Sequence, residues 1–275
     1  MKPAAFDYVR AESLDEALDF LAREGSEASV LAGGQTLVPL LSMRMARPRV
    51  LLDIMRLPGL DHVGDSGDAI RIGATTRQSA LEQHPGLAQR QPLLAAALPW
   101  IGHAQTRSRG TICGSIANAD PSAELPLVLT ALGGQVVLRS RAGTRKVAAE
   151  AFFTGIMSTD RRDDELIEAV EFPVKRPGAG YAFREFGRRH GDFAIVACAA
   201  AVDARSAKLA VGGVADRPIV RELPMPGGDD VIDALDAFAR ELDARDDLHA
   251  TASYRRELVR RLGLATLQEA AACRA

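Results

Sequence analysis

The sequence predicts a mixed protein of α-helices and β-strands, arranged as three small units that follow one another along the chain. Two observations support this prediction. Segments with helical periodicity alternate with short apolar runs of strand length, and a stretch rich in proline, glycine and basic residues at 173–180 marks a linker or hinge before the last unit. With 275 residues, the chain also exceeds the usual length of one domain, roughly 100–200 residues. We therefore predict units at residues 1–56, 57–173 and 174–275.

The first unit opens with a clear helix signal. Ser13 and Glu16 have the spacing of a capping box, which predicts a helix beginning at residue 14. Leucine and alanine then recur at helical spacing, and Gly25 is expected to end the helix. The other elements predicted in this unit are a strand over 29–32, a helix over 37–45 and a strand over 50–54.

The later units are predicted from the same periodicities. Pro121 is expected to open a helix, because proline is favoured in the first helical turn. In the second unit we predict strands over 69–74, 135–139 and 169–172 and helices over 76–83, 93–98 and 121–132. In the third we predict strands over 193–202 and 208–214 joined by a hairpin turn at 203–206, a loop over 224–230, and helices over 231–242 and 254–262.

Composition excludes several classes of function. The formal net charge is −2 and aromatic residues make up 5% of the chain, which argues against nucleic acid or an anionic membrane as the main partner. No run approaches the roughly 20 apolar residues of a membrane helix, so we expect no integral membrane segment. Cys113, Cys198 and Cys273 are too few and too scattered for disulfides or an iron–sulfur cluster held by this chain alone. We expect a cytoplasmic protein, and its dispersed histidines predict no metal site.

Two glycine-bearing segments are the most informative motifs, LAGGQT at 31–36 and RGTICGS at 109–115. Neither fits a Walker loop or a Rossmann fingerprint. The side chains in both are mostly small, and both would expose backbone N–H groups, which can form anion-binding nests. We hypothesise that the two nests clasp a pyrophosphate from two sides, although the first segment is equally well read as a plain strand-to-helix turn.

Side chains near the second segment fit a nucleotide as well. The hydroxyls of Thr111 and Ser115 are suited to donate to phosphate oxygens, and Glu124 to accept from ribose hydroxyls. The alternative for Glu124 is stabilisation of the helix dipole in a first turn, worth ~0.3–1 kcal/mol. No pair of acid and base side chains and no nucleophile motif is visible, so we predict no catalytic residue in this chain.

Three segments together resemble a known family: AGGQTLVPLLSMR at 32–44, RSRGTICGSIANADPSAELP at 107–126 and GRRHGDFAIVACAA at 187–200. They resemble the FAD-binding medium subunit of molybdenum hydroxylases, the family of carbon monoxide dehydrogenase and xanthine dehydrogenase, over essentially the whole chain. The resemblance implies an α+β fold. Two subdomains would form an FAD-binding fold of the vanillyl-alcohol-oxidase type, followed by a small α/β C-terminal domain.

The resemblance also implies which residues bind FAD. Both glycine segments would hold the pyrophosphate, Glu124 would contact the sugar, and Leu166 and Ile167 would lie beside the adenine. The implied cofactor-binding residues are Val30, Leu31, Ala32, Gly33, Gly34, Gln35, Thr36, Leu37, Ile101, Gly110, Thr111, Ile112, Cys113, Gly114, Ser115, Asp120, Glu124, Leu166, Ile167 and Arg184.

This chain departs from the family pattern at three of these positions. Cys113 replaces the usual glycine, Ser115 replaces Asn or Asp, and Glu124 replaces Asp. A nest accommodates Cys113 only with a negative φ, because residues with a β-carbon resist positive φ.

The function implied is that of an electron-transfer subunit. A large partner subunit would carry molybdopterin cytosine dinucleotide, and a small partner would carry two 2Fe–2S clusters that pass electrons to the flavin of this chain. An external acceptor would then take them, and the implied assembly is a dimer of heterotrimers. Two alternatives stay open: a stand-alone flavin oxidoreductase of the same fold, and an interaction module that has lost its cofactor.

Overall fold

The computed structural model describes residues 2–228 and 230–274. The described residues form four β-sheets. Three larger sheets follow one another along the chain, one inside each of the three predicted units, and a fourth sheet of two short strands lies in the second unit. The first unit holds a parallel sheet of order β1-β3-β2. Its elements are β1 (Asp7–Arg10), α1 (Leu14–Glu24), β2 (Ala28–Leu31), α2 (Leu37–Ser42) and β3 (Val50–Asp53).

The second unit is built on an antiparallel sheet of order β4-β5-β10-β6-β7. Its first elements are β4 (Val63–Ser66), β5 (Ala69–Gly73), α3 (Gln78–Glu82), α4 (Leu87–Arg90), α5 (Pro92–Ala97), α6 (Ala104–Arg107), α7 (Ile112–Asn118) and α8 (Glu124–Leu132). The remainder are β6 (Gln135–Ser140), β7 (Gly143–Ala148), α9 (Ala149–Phe152), β8 (Phe153–Gly155), β9 (Ser158–Thr159) and β10 (Leu166–Pro173).

The third unit is an antiparallel meander followed by two helices. Its elements are β11 (Gly180–Phe186), β12 (Val196–Val202), β13 (Ala207–Gly212), β14 (Ile219–Leu223), α10 (Asp230–Glu241) and α11 (Ala252–Ala272). Among the helices of the described chain, none combines the length and the apolar character needed to cross a bilayer.

The predicted start and end of α1 are confirmed. The hydroxyl oxygen of Ser13 accepts a hydrogen bond from the Glu16 N–H at 3.1 Å, and the Glu16 carboxylate accepts one from the Glu12 N–H at 2.7 Å. The helix ends at Gly25, whose φ of +54° favours glycine. The apolar face of α1 packs on the parallel sheet and forms the core of the first unit.

Helix α8 joins the second and third units. All its residues from Glu124 to Ala131 are buried, and it packs against strands β12 and β13 of the third sheet. The alanines of β12 leave room for this helix, and Gly212 brings β13 close to it, because an added β-carbon there would lie 3.4 Å from Cδ2 of Leu127 in α8. The second and third units therefore share one hydrophobic core.

Several boundaries differ from the prediction. The helix predicted from Pro121 begins at Glu124, because the Asp120 carboxylate accepts a hydrogen bond from the Ser122 N–H at 2.9 Å and holds the intervening residues in a turn. Helix α11 extends ten residues beyond its predicted end at 262, to Ala272. The predicted strand over 193–202 begins only at Val196. Sequence periodicity missed β1, β4, β7, β8, β9, β11 and β14.

The segment predicted as a linker or hinge is a short, bonded connection. Strand β10 runs to Pro173 and β11 begins at Gly180. Between them, the Val174 N–H donates to the Asp68 carbonyl at 2.8 Å and the Lys175 N–H to the Arg90 carbonyl at 2.7 Å. These bonds attach the connection to the second unit.

Candidate functional site

The two glycine-bearing segments lie directly against each other. A β-carbon built on Gly33 would be 2.3 Å from the carbonyl oxygen of Arg109 and 2.7 Å from Cα of Gly110. Only glycine fits at this point of contact, because both neighbours are backbone atoms. Gly34 adopts a φ of +70°, which turns the chain from β2 into α2.

The first segment presents free backbone donors. The N–H groups of Gly33, Gly34, Gln35 and Thr36 donate no hydrogen bond to any residue that the structure describes. The Gln35 side-chain amide donates instead to the Gly33 carbonyl at 3.1 Å. This arrangement leaves four successive donors for a bound group, as expected of a nest.

The second segment is a helix start rather than an open loop, which corrects our expectation of a second nest. Thr111 caps α7, and its hydroxyl oxygen accepts a hydrogen bond from the Gly114 N–H at 3.0 Å. The Ile112 N–H donates to the Thr76 carbonyl at 3.1 Å. Within the described chain, the Thr111 and Cys113 N–H groups are the backbone donors of 109–115 that lack a partner.

Cys113 satisfies the backbone condition set by the sequence. It lies inside α7 and outside the left-handed region of φ. Its side chain is buried, with Sγ 3.6 Å from the Ile72 carbonyl oxygen, and burial raises the pKa of this thiol to about 12. The Cys113 side chain therefore fits into the hydrophobic core behind α7.

A cavity of about 530 Å³ opens where the two segments meet. It is lined by all the residues predicted to bind the cofactor except Leu31, Ile112 and Arg184. Ile112 is buried in the core behind α7. Arg184 lies on β11 and its Nε donates to Glu269 of α11 at 2.7 Å, so the structure places it apart from the cavity.

Comparison with known proteins bears directly on this geometry. Residues 4–175 match the family model described as the FAD binding domain in molybdopterin dehydrogenase. The chain belongs to this family. The resemblance that the three sequence segments indicated is thereby confirmed, and the matched range includes both glycine segments.

Two relatives align with this chain over nearly its whole length. It is 40% identical over 283 aligned residues to the 6-hydroxypseudooxynicotine dehydrogenase complex subunit alpha of Paenarthrobacter nicotinovorans, covering 98% of this chain and 96% of that one. It is 38% identical to the glyceraldehyde dehydrogenase medium chain of Sulfolobus acidocaldarius, covering 98% and 100%.

A solved structure agrees with the fold as well. A chain of carbon monoxide dehydrogenase from Hydrogenophaga pseudoflava superposes with a TM-score of 0.93 at 31% identity, covering 100% of both chains. The α+β fold class implied by the sequence is confirmed for this member of the FAD-binding family.

Glu124 and Asp120 of the cavity wall, and Glu185 close to Glu124, have raised pKa values. Glu124 begins α8, is only 7% exposed, and burial raises its pKa to about 7. Burial also raises the pKa of Asp120. On β11, the pKa of Glu185 is raised to about 8, by burial and then by the nearby charge of Glu124. Near neutral pH, Glu124 and Glu185 are therefore at least partly protonated.

Some lining residues were not found by sequence reasoning. Gln78 is 4% exposed, and its Oε1 is buried without a hydrogen-bond partner among the described residues. Its backbone N–H donates to the Gly110 carbonyl at 2.9 Å, which places it beside the second segment. Arg161, Asp192 and Phe193 also line the cavity. Nothing in the local sequence distinguishes Gln78 or Arg161, although the third resembling segment contains Asp192 and Phe193.

Proposed function

We propose that this chain is the FAD-carrying electron-transfer subunit of a molybdenum-containing dehydrogenase complex. The observation that carries the proposal is the direct contact between the two glycine segments at the mouth of one cavity. Two segments about 75 residues apart in the chain need not approach so closely for folding alone, since each already belongs to its own sheet unit. Their contact creates a surface of free backbone donors inside a matched FAD-binding domain.

The residues present fit FAD. The four free N–H groups of residues 33–36 suit the oxygens of a pyrophosphate, which carries negative charge but accepts hydrogen bonds from neutral donors. The cavity volume of about 530 Å³ lies within the range of ~300–1,000 Å³ for small-molecule and cofactor sites. The Oε1 of Gln78 is a buried polar atom in this cavity wall, and no residue that the structure describes is its hydrogen-bond partner.

Each part of the cavity would hold a different part of the cofactor. Residues 32–36 and 110–115 would bind the pyrophosphate, Glu124 would accept from a sugar hydroxyl, and Leu166 with Ile167 would lie against the adenine. When bound, FAD supplies a redox group that accepts electrons singly and releases them singly or in pairs. The chain itself would position that group.

The proposed partner subunits rest on the resemblance to the family. We propose a large subunit with molybdopterin cytosine dinucleotide and a small subunit with two 2Fe–2S clusters, arranged as a dimer of heterotrimers inside the cell. Several relatives carry printed names of subunits or medium chains of dehydrogenases, which supports a multi-subunit enzyme. Electrons would enter this chain from the small subunit and leave to an external acceptor.

One observation favours the second candidate, a stand-alone flavin oxidoreductase. Such an enzyme needs its own proton donor, and Glu124 has a pKa of about 7 while lining the cavity. The pKa of an effective general acid lies near the working pH. We retain the subunit as the primary proposal because the relatives are named as parts of complexes.

The test is the flavin content and activity of the purified full-length chain. We expect one equivalent of FAD per chain by visible absorption, with no turnover of substrate until the large and small subunits are added. Turnover by the chain alone would favour the stand-alone enzyme. A folded, flavin-free chain that takes up no added FAD would overturn both proposals.

A further inference from the structure

We propose that Arg161 binds the adenylate half of the cofactor, as a residue that selects FAD over FMN. This inference rests on the proposed FAD function and adds a residue to it that the sequence motifs do not contain. It begins from the charges around the cavity. Among the described residues that line it, Arg161 is the one basic side chain, whereas Asp120, Glu124, Glu165 and Asp192 are acidic.

The guanidinium of Arg161 is held in one orientation by the backbone. Its Nη1 donates to the carbonyl oxygens of Arg162 and Glu165, each at 2.8 Å. Its Nε and Nη2 donate to no residue that the structure describes. One edge of the planar group is therefore fixed by protein, and the other edge remains available to a ligand.

The turn that carries Arg161 is itself rigid. Arg145 donates to the buried carboxylate of Glu165 at 2.6 Å and to the Asp160 carbonyl at 2.6 Å. The second oxygen of Glu165 accepts from the Arg162 N–H at 2.8 Å. These bonds close residues 160–165 around the ion pair between the buried Glu165 carboxylate and the half-buried Arg145, so the position of Arg161 is set before any ligand arrives.

The ion pair between Arg145 and Glu165 also offsets the negative charge of Glu165 in the cavity wall, whereas the positive charge of Arg161 remains. Glu165 is neutralised by Arg145, and the bound Arg145 keeps the pKa of Glu165 low despite burial. Burial lowers the pKa of Arg161, although the carboxylates of 163–165 oppose that effect. A poorly solvated guanidinium gains more from a ligand than an exposed one, because less hydration is lost on binding.

The position within the cavity points to the adenylate half. Arg161 lines the wall next to Leu166 and Ile167, which begin β10 and are buried apolar residues. An apolar strand end beside a planar cation suits a nucleobase, because a guanidinium stacks on an aromatic ring or bonds its edge. The free Nε and Nη2 groups of Arg161 can also donate hydrogen bonds to the phosphate of the adenylate.

The experiment compares two flavins on three forms of the full-length chain. Binding of FAD and of FMN to flavin-free protein is followed by flavin fluorescence for wild type, Arg161→Gln and Arg162→Gln. Arg162 is the matched control, since it is the adjacent arginine on the same turn, is exposed, and does not line the cavity. Arg161→Met, which keeps the aliphatic stem, provides a second variant if the glutamine form unfolds.

We expect Arg161→Gln and Arg161→Met to raise the Kd for FAD roughly tenfold, the scale of one charge-assisted contact of ~1.4 kcal/mol. The Kd for FMN, which lacks the adenylate, should stay unchanged, and Arg162→Gln should alter neither. Unchanged FAD affinity in both Arg161 variants, or equal weakening of FAD and FMN, would overturn the inference. Failure of the wild-type chain to bind FAD would instead reject the proposed function itself.

Discussion

Replacing Gly33 by alanine tests the contact between the two glycine segments most directly. The new β-carbon would lie 2.3 Å from the Arg109 carbonyl oxygen, whereas an ordinary contact begins at 3.4 Å. The segments must therefore separate by about 1.1 Å, the difference between these two distances. Neither obstructing atom is part of a flexible side chain, so the backbone has to move. Overpacking of this kind costs ~1–3 kcal/mol of folding stability.

The effect on cofactor binding should be larger than the effect on stability. Two charge-assisted hydrogen bonds weakened by this displacement would cost ~3 kcal/mol, or about a hundredfold in the Kd for FAD. Flavin fluorescence titration measures that constant and denaturant unfolding measures the stability. Gly64→Ala is the control, because no atom of the described residues beyond its two chain neighbours lies within 4 Å of the position that its new β-carbon would take, and its φ is not positive. If Gly33→Ala binds FAD as tightly as Gly64→Ala, the clasp between the segments is not what holds the cofactor.

Two further predictions concern buried titratable groups. The pKa of Glu124 is about 7 in the folded chain against 4.5 for a free carboxyl, so the stability of the wild type falls as the pH rises from 4.5 to 7. Flavin-free Glu124→Gln should therefore match wild type near pH ~4 and exceed it by ~3 kcal/mol near pH ~8 in denaturant unfolding. A stability difference that does not vary with pH would contradict this. Burial raises the pKa of Cys113 and Cys198 to about 12, so alkylation of the native chain at pH 8 should modify Cys273 alone, as peptide mass spectrometry would show, with all three reacting after unfolding.

Local signals predicted the elements that depend on local contacts. The capping box at Ser13 and the hairpin turn at Asp203, whose carboxylate accepts from the Arg205 and Ser206 N–H groups at 2.9 Å each, are complete within a few residues. The edge strands β1, β4, β7 and β14 were missed because few of their residues are buried, so they lack an apolar pattern. Strand β7 is half exposed, carries arginine and lysine, and gains its place only by pairing with β6.

The second glycine segment shows where composition misleads. Its glycines suggested a loop, yet Ile112 and Ile116 are fully buried and hold α7 against the core. Tertiary packing outweighs the low helix propensity of glycine, which is worth only ~1 kcal/mol. The threonine cap at residue 111 was the one local sign of this helix.

The sequence predicted which segments form the candidate site, but it did not predict how individual side chains such as Arg161 and Arg184 are oriented. The family motifs identified both glycine segments and the acidic start of α8, because those residues are contiguous in the chain. Arg161 acquires its orientation from a turn closed by Arg145, and Arg184 is drawn to Glu269, which lies 85 residues further along the chain. Partners this distant leave no pattern in the local sequence.

Helix α8 has a consequence for how the protein can be divided. The family's FAD-binding domain is matched only to residue 175, but the apolar surface of α8 is covered in part by β12 and β13, which lie beyond that limit. A fragment ending near residue 175 would expose this surface to water and invite aggregation. The domain that the family model matches is therefore smaller than the unit that folds cooperatively. A cofactor bound at Glu124, the first residue of α8, would also stabilise the third sheet, because α8 packs against that sheet.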